Sequence, residues 1–208
     1  MEFRRALVAS ASEQRLATLM AKRSEPGADR DAIDQRIWDL FGERWAVMFT
    51  DLAGFSRNVA DFGILHFLQV MYSAEQMLLP IIETNDGILL KIEGDSYMVI
   101  FRNPAKAVAA ALDMQAHLRV ANDRLEPEEQ VLLCIGIGYG DLLRIGDSDV
   151  FGQEVNAASK LGEDVARAYE ILVTEAMRDI ACADARVSDA VPADDLPAGL
   201  SAAYRLRY

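Results

Sequence analysis

The sequence is poor in cysteine and has no long apolar segment. Only 2 of its 208 residues are cysteine, which is far too few for a disulfide framework. No stretch approaches the roughly 18 apolar residues that a membrane-spanning helix requires, and the first residues lack the apolar core of a signal peptide. We therefore expect a cytoplasmic protein without a membrane span.

The chain also lacks an excess of basic residues. Lys and Arg number 21 against 33 Asp and Glu, which gives a net charge of −12. This charge disfavours general attraction to nucleic acid or to an anionic membrane. A polyanionic ligand would need a local device such as bound metal ions.

Two common nucleotide-binding loops are missing as well. The sequence has no Walker-type Gly-Lys-Ser/Thr, and Gly136, Gly138 and Gly140 lack the spacing of a dinucleotide-binding loop. Because these glycines alternate at a period of two within a strand-like segment, they indicate a bend or the close approach of another backbone.

What the chain contains is an α+β pattern in two parts. Residues 1–44 predict two helices separated by Glu25-Pro26-Gly27, a helical lead-in that either packs on its own domain or pairs with a partner helix and is a candidate regulator. Its charges cancel, so the net negative charge lies in residues 45–208, which are the size of one ordinary domain.

The second part predicts alternating strands and helices. In order, these are a strand at 45–50, a helix at 61–84, strands at 88–93 and 97–102, a helix from 104 to about 124, a strand at 131–145, a helix at 154–166, a strand at 170–173, a short helix capped by Thr174, and two weak closing strands. The β-α-β-β-α-β order predicts a ferredoxin-like antiparallel sheet covered by helices, with C-terminal additions.

Two aspartates lie at predicted strand ends. Asp51 follows the first strand and precedes a small-residue turn, Leu52-Ala53-Gly54-Phe55, whose amides could face an anion. Asp95 lies at the tip of the 88–102 hairpin. If the two strands are neighbours, the carboxylates converge as a pair of Mg²⁺ ions requires. The alternatives are a turn cap at Asp51 and an ordinary Gly-Asp-Ser turn.

Three motifs resemble those of the class III nucleotidyl cyclases, the adenylate and guanylate cyclase catalytic domain family. They are Phe49-Thr50-Asp51 with Gly54-Phe55-Ser56, then Lys91-Ile92-Glu93-Gly94-Asp95, then Asp149-Val150-Phe151-Gly152 followed by Val155-Asn156-Ala157-Ala158-Ser159-Lys160. They stand in the family's order, and the similarity spans about residues 45–181. Three separated motifs are more specific than any one of them.

The resemblance implies a metal and phosphate site in the first motif. Asp51 and Asp95 match the aspartates that bind two divalent ions, Mg or Mn, and the Leu52 carbonyl is expected as a further ligand. The amides of Ala53, Gly54 and Phe55 are expected near the phosphates.

The resemblance also implies roles in base and ribose recognition. Lys91 and Asp149 match the pair that reads adenine, a donor toward ring N1 and an acceptor for the exocyclic amine, whereas guanine presents the opposite pattern. Asn156 matches the residue that orients the ribose. Lys160 stands where active members usually carry an arginine that stabilises the pentavalent phosphorus.

Two features depart from the family pattern. Lysine at 160 keeps the charge but lacks the planar donor fork of arginine. The C-terminal hairpin commonly supplies a phosphate-binding lysine, yet residues 177–208 contain no lysine, and Arg205 or Arg207 would have to substitute.

The resemblance therefore implies an adenylate cyclase that converts ATP to 3′,5′-cyclic AMP and pyrophosphate by a two-metal mechanism. In this family the site lies between two chains, so a homodimer is expected. The two departures favour an alternative, a weak or inactive cyclase-like domain that binds ATP as a sensor or regulatory module. A diguanylate cyclase is a third hypothesis, against which the absence of a Gly-Gly-Asp/Glu-Glu-Phe string weighs.

Overall fold

The computed structural model of the chain describes residues 2–54, 61–194, 196 and 199–208. Its helices are α1 (Glu2–Arg23), α2 (Arg30–Phe41), α3 (Ile64–Thr84), α4 (Pro104–Asn122), α5 (Gln153–Ser159) and α6 (Glu175–Cys182). Its strands are β1 (Gly42–Leu52), β2 (Ile88–Glu93), β3 (Ser96–Phe101), β4 (Leu133–Ile145), β5 (Asp149–Phe151), β6 (Ile171–Thr174), β7 (Asp189–Pro192) and β8 (Ala203–Arg207). A 3₁₀ turn covers Pro127–Glu129, and a π-helical turn covers Lys160–Val165.

One eight-stranded sheet organises the domain. Its order is β2-β3-β1-β4-β6-β8-β7, and β5 pairs with β4 beside this path. Neighbouring strands are antiparallel except for β4 and β6. The α+β prediction, with its β-α-β-β-α-β core and C-terminal additions, is confirmed.

Helices cover both faces of the central strand. Ala46 and Met48 of β1 belong to the main core together with residues of α3, α4 and α6, whereas Val47 and Phe49 contact a second cluster that includes residues of α5. A strand that is buried on both faces has a continuous apolar sequence, and residues 45–49 have this pattern. Asp51, the next-to-last residue of β1, is partly exposed at the end of the strand.

The glycines of β4 let α5 lie directly on the sheet. A Cβ atom at Gly136 would lie 2.2 Å from the Ala158 carbonyl oxygen, and one at Gly138 would lie 2.5 Å from the carbonyl oxygen of Glu154. No larger residue fits at these distances. The predicted close backbone approach is confirmed, and it fixes the helix that carries Asn156.

The helical lead-in packs on the domain. Leu19 of α1 forms a buried cluster with Ile37 and Phe41 of α2 and with Ile145 of β4. The Asp29 side chain caps α2 by accepting a hydrogen bond from the Ala32 N–H at 3.0 Å.

Several boundaries differ from the sequence prediction. β1 follows α2 without a loop and begins at Gly42 rather than at 45, and β4 begins at Leu133 rather than at 131. Helix α3 begins at Ile64 rather than at 61, because Gly63 interrupts the helical backbone.

The predicted 154–166 helix also differs. It is α-helical only to Ser159, after which the i to i+5 bond from the Ala166 N–H to the Leu161 carbonyl closes the π-helical turn. The prediction of a Thr174 side-chain cap is wrong, since its hydroxyl donates instead to Glu154 Oε2 at 2.6 Å. In the part of the chain that the structure describes, no helix is both long and apolar enough to cross a membrane.

Candidate active site

Strand register brings Asp51 and Asp95 together at the sheet rim. Thr50 pairs with Tyr97 across β1 and β3, which leaves Asp51 beside Ser96, and the Ser96 hydroxyl donates to Asp51 Oδ1 at 3.3 Å. Gly94, at φ 61°, makes the left-handed turn that carries Asp95 toward Asp51. The Leu52 backbone N–H acts to lower the pKa of each carboxylate.

The two carboxylates are under electrostatic stress. Burial, and then repulsion from Asp95, raise the pKa of Asp51 to about 6, and burial also raises the pKa of Asp95. Asp95 Oδ2 is buried without a hydrogen-bond partner. An unsatisfied buried carboxylate oxygen is costly, and a divalent cation would satisfy it. The pair therefore fits a site for hard cations such as Mg²⁺ or Mn²⁺.

The remaining metal ligands would come from other oxygens. Among residues 2–54, 61–194, 196 and 199–208, no group of three or more His, Cys, Asp or Glu side chains is arranged to hold a metal ion. Two carboxylates complemented by main-chain oxygen, water and substrate phosphates are a usual arrangement for Mg²⁺. The role of the Leu52 carbonyl in this set stays a prediction.

The turn after β1 is partly engaged within the protein. The Ala53 N–H donates to the Leu132 carbonyl at 2.8 Å, so it is already used within the fold and does not offer a free donor to a phosphate. Gly54 lies in the described turn, and its proposed phosphate contact stays a prediction. Phe55 lies outside the described residues.

Lys91 and Asp149 form a direct ion pair. Lys91 Nζ lies 2.7 Å from Asp149 Oδ2, and the side chains are 31% and 28% exposed. Lys91 follows a register shift in β2, and Asp149 begins β5. The hydrogen bond to Asp149 raises the pKa of Lys91, which keeps the ammonium group charged and able to donate. Because partly exposed pairs contribute at most about 1 kcal/mol, a base can separate this one at little cost.

Asn156 and Lys160 line one cavity of about 390 Å³. They are four residues apart where α5 passes into the π-helical turn, so they share one side of the helix. Short π-helical segments within helices are often found at functional sites. Across the cavity, the loop before β8 contributes Gly199, Leu200, Ser201 and Ala202, none of which is basic.

Three of the four arginines in residues 177–208 form ion pairs within the protein. Arg205 forms an ion pair with Glu170 at 2.8 Å, and Arg178 forms one with Asp179 at 2.9 Å. Arg186 contacts both Asp113 and Asp184. The expected substitution of a C-terminal arginine for the family's lysine stays a prediction.

Residues 42–190 match the family model of the adenylate and guanylate cyclase catalytic domain. The chain belongs to this family. The matched range begins at the first residue of β1 and does not include α1 or α2.

One relative of this cyclase domain has a name that refers to adenylate. A protein of Rhizobium meliloti (strain 1021), provisionally named adenylate cyclase 3, is 31% identical over 117 residues, which are 56% of this chain and 20% of that protein. The chain thus spans about a fifth of the length of this relative.

Two solved structures share the fold. The guanylyl cyclase Cya2 superposes with a TM-score of 0.67 at 18% identity, covering 79% of this chain and 92% of its own. The adenylyl cyclase CyaB from P. aeruginosa superposes with a TM-score of 0.64 at 20% identity, covering 80% and 96%. At these identities they establish the cyclase fold, so base preference must be argued from the site.

Sequence reasoning missed one residue that lies beside Asn156 in the candidate site. The Glu154 side chain accepts hydrogen bonds at Oε2 from the Tyr139 N–H at 3.1 Å and from the Thr174 hydroxyl at 2.6 Å. It lines the same cavity as Asn156. Glu154 thus ties α5 to β4 and β6. Its place two residues before Asn156, in the first turn of the helix, is the signal that could have identified it.

Proposed function

We propose that this cyclase domain is an adenylate cyclase that converts ATP to 3′,5′-cyclic AMP and pyrophosphate. The Lys91–Asp149 pair carries the choice of substrate, because it offers one donor next to one acceptor. Adenine presents the complement, a ring nitrogen acceptor beside an amine donor, whereas guanine presents the opposite order. In the reaction the ribose 3′-oxygen loses its proton and bonds to the α-phosphorus, and the bond to pyrophosphate breaks.

The proposed enzyme binds two metal ions at Asp51 and Asp95. Two Mg or Mn ions bound there supply a lowered pKa for the 3′-hydroxyl and positive charge at the phosphates. The buried Asp95 oxygen without a partner and the raised pKa values of both carboxylates support this assignment. A chain with a net charge of −12 also requires such a local reversal of sign to hold a triphosphate.

Two further residues of the proposed enzyme contact the sugar and the reacting phosphorus. Asn156 orients the ribose, and Lys160 offsets the charge that develops on the α-phosphate oxygens. Both lie on the segment that the β4 glycines and the Glu154 hydrogen bonds hold against the sheet. Their geometry is therefore fixed by backbone packing before the substrate binds.

The proposed enzyme is a homodimer with two equivalent sites. In the proposed dimer Asp51 and Asp95 come from one copy, whereas Lys91, Asp149, Asn156 and Lys160 come from the other, so a single chain holds no complete site. Helix α3, which follows the Asp51 turn, presents large apolar side chains that are 50 to 79% exposed, namely Ile64, Leu65, Leu68 and Tyr72. Exposed apolar surface of this kind is typical of an interface, and two-fold symmetry would complete both sites.

A second candidate function is an ATP-binding module with little or no turnover. Two observations favour it: lysine rather than arginine at 160, and the absence of a basic residue among 199–202 on the opposite side of the same cavity. Cationic clamps of this type contribute about 10³-fold or more in related phosphoryl transfers.

The test is product identification by mass after incubating the purified protein with Mn²⁺ and ATP, GTP, CTP or UTP separately. We expect cyclic AMP from ATP, lost in Asp51→Ala and retained in Asp141→Ala, a matched change at an exposed aspartate paired with Arg44. Saturable ATP binding without product would support the sensor instead. Cyclic GMP as the main product would contradict the assignment of the Lys91–Asp149 pair.

A further inference from the structure

A cavity of about 540 Å³ lies between α1 and the base-reading pair. Lys91 and Asp149 lie at its polar part, with Glu13 and Ser148 nearby. The rest of the lining is apolar and consists of Leu16, Ala17 and Met20 of α1 together with Ile145 and Phe151. This volume, with a mainly apolar lining and a few placed polar groups, is typical of a site for a small molecule.

Three contacts hold α1 at this position. Leu19 is buried against Ile145 of β4. The Ser148 hydroxyl shares its proton between Glu13 Oε1 at 3.1 Å and the Ile145 carbonyl at 3.0 Å, and Ser148 directly precedes Asp149. Arg23, at the end of the helix, pairs with Asp34 of α2. The lead-in helix is therefore anchored next to one of the two base-reading residues.

The cavity has apolar surface that the protein itself leaves open. Met20 is 46% exposed and Phe151 is 50% exposed, although both are large apolar side chains. A thioether and an aromatic ring are well suited to the flat face of a purine, since one adapts its shape and the other stacks. The polar pair reads the edge of a base, so these side chains are available for its face.

We propose that α1 forms one wall of the adenine-binding cavity, with Leu16, Ala17 and Met20 against the purine while Lys91 and Asp149 bind its edge. This inference rests on the proposed function and extends it, because residues 13–20 lie outside the range that matches the family model. It makes the lead-in helix part of the nucleotide site, so any signal that displaces α1 changes nucleotide affinity.

The test is calorimetric binding of two probes to the full chain with Mn²⁺. One probe is ATP with a methylene group in place of the α,β-bridging oxygen, which cannot be cyclised, and the other is inorganic triphosphate, which has no base. Ala17→Trp fills the cavity and should weaken binding of the ATP analogue at least about tenfold. Ala21→Trp is the control, because Ala21 is exposed on the same helix outside the cavity lining.

Triphosphate binding should be unchanged in both variants. Met20→Gln changes a half-exposed side chain and should weaken binding of the ATP analogue severalfold. This second variant decides the question if Ala17→Trp proves too unstable to measure. If Ala17→Trp, Met20→Gln and wild type bind the analogue equally, α1 does not form a wall of the adenine-binding cavity. The proposed function would be unaffected by that result. An equal loss of triphosphate binding in these variants would also contradict the role of α1, because triphosphate has no base for the helix to contact. No binding of the analogue by wild-type protein would overturn both.

Discussion

Replacing Asp51 with asparagine should stabilise the metal-free protein while abolishing catalysis. The carboxylate is half-buried beside Asp95, and burial together with this neighbour raises its pKa from 3.8 to about 6. An acid whose pKa is raised on folding destabilises the folded state once both states are ionised. Asparagine keeps the acceptor for Ser96 and removes the charge.

The magnitude and its pH dependence follow from that shift. Below pH 3.8 the carboxyl is neutral in both states and costs nothing. Between 3.8 and about 6 the unfolded chain loses its proton first, so stability falls as pH rises, and above pH 6 the penalty is constant. At 1.36 kcal/mol per pKa unit the upper limit is about 3 kcal/mol, which solvent screening reduces to about 1 to 2 kcal/mol.

Thermal melting in EDTA measures the effect. At pH 8 Asp51→Asn should melt about 2 to 6 °C above wild type, and the difference should shrink toward pH 4. Asp184→Asn is a control of opposite sign, because Arg186 lowers the pKa of Asp184 to about 2. That carboxylate stabilises the fold above its usual pKa, so its removal should lower the melting temperature at pH 8.

Added Mn²⁺ provides the second half of this test. Wild-type protein should gain melting temperature through binding to the folded state, and Asp51→Asn should gain less. If Asp51→Asn melts at or below wild type at pH 8 in EDTA, the reasoning that the site carries electrostatic stress is refuted.

Three further predictions concern turnover, packing and assembly. Lys160→Arg should raise kcat at least about tenfold by restoring a planar donor fork, and an unchanged kcat would show that residue 160 does not limit the reaction. Gly136→Ala should lower the free energy of unfolding by about 1 to 3 kcal/mol in urea denaturation, since its Cβ would clash with the Ala158 carbonyl, and wild-type stability would contradict the close approach. Leu65→Lys, at a side chain that is 79% exposed, should shift sedimentation toward monomer and lower activity together, whereas an unchanged dimer would exclude this face.

Local sequence signals predicted the order of strands and helices well. The Gly94-Asp95-Ser96 turn and the apolar run of β1 each depend on a few adjacent residues, and both occur where the sequence indicates them. The period-two glycines of β4 also predicted the approach of another backbone. Such features depend on conformational preferences of the residues themselves.

Features set by distant contacts were not predictable in the same way. The Ala53 amide is used by Leu132, and the Thr174 hydroxyl by Glu154, although each has a local role that the sequence suggests. The Lys91–Asp149 ion pair joins residues 58 positions apart, and only the assembled sheet shows it. Position along the chain does not reveal that α1 lies beside this pair, because the contact depends on how α1 and α2 pack on β4.

The central claim is that a two-metal adenylate cyclase site is shared between two copies of the chain. Complementation between two inactive variants tests this claim most directly. Asp51→Ala removes a metal ligand from one side of the interface, and Asn156→Ala removes the ribose contact from the other. Each alone should produce almost no cyclic AMP from Mn²⁺ and ATP. An equal mixture should recover about one quarter of the wild-type rate, since half the dimers are mixed and each has one intact site. No recovery from two folded variants that exchange chains, while wild type is active, would contradict the shared site.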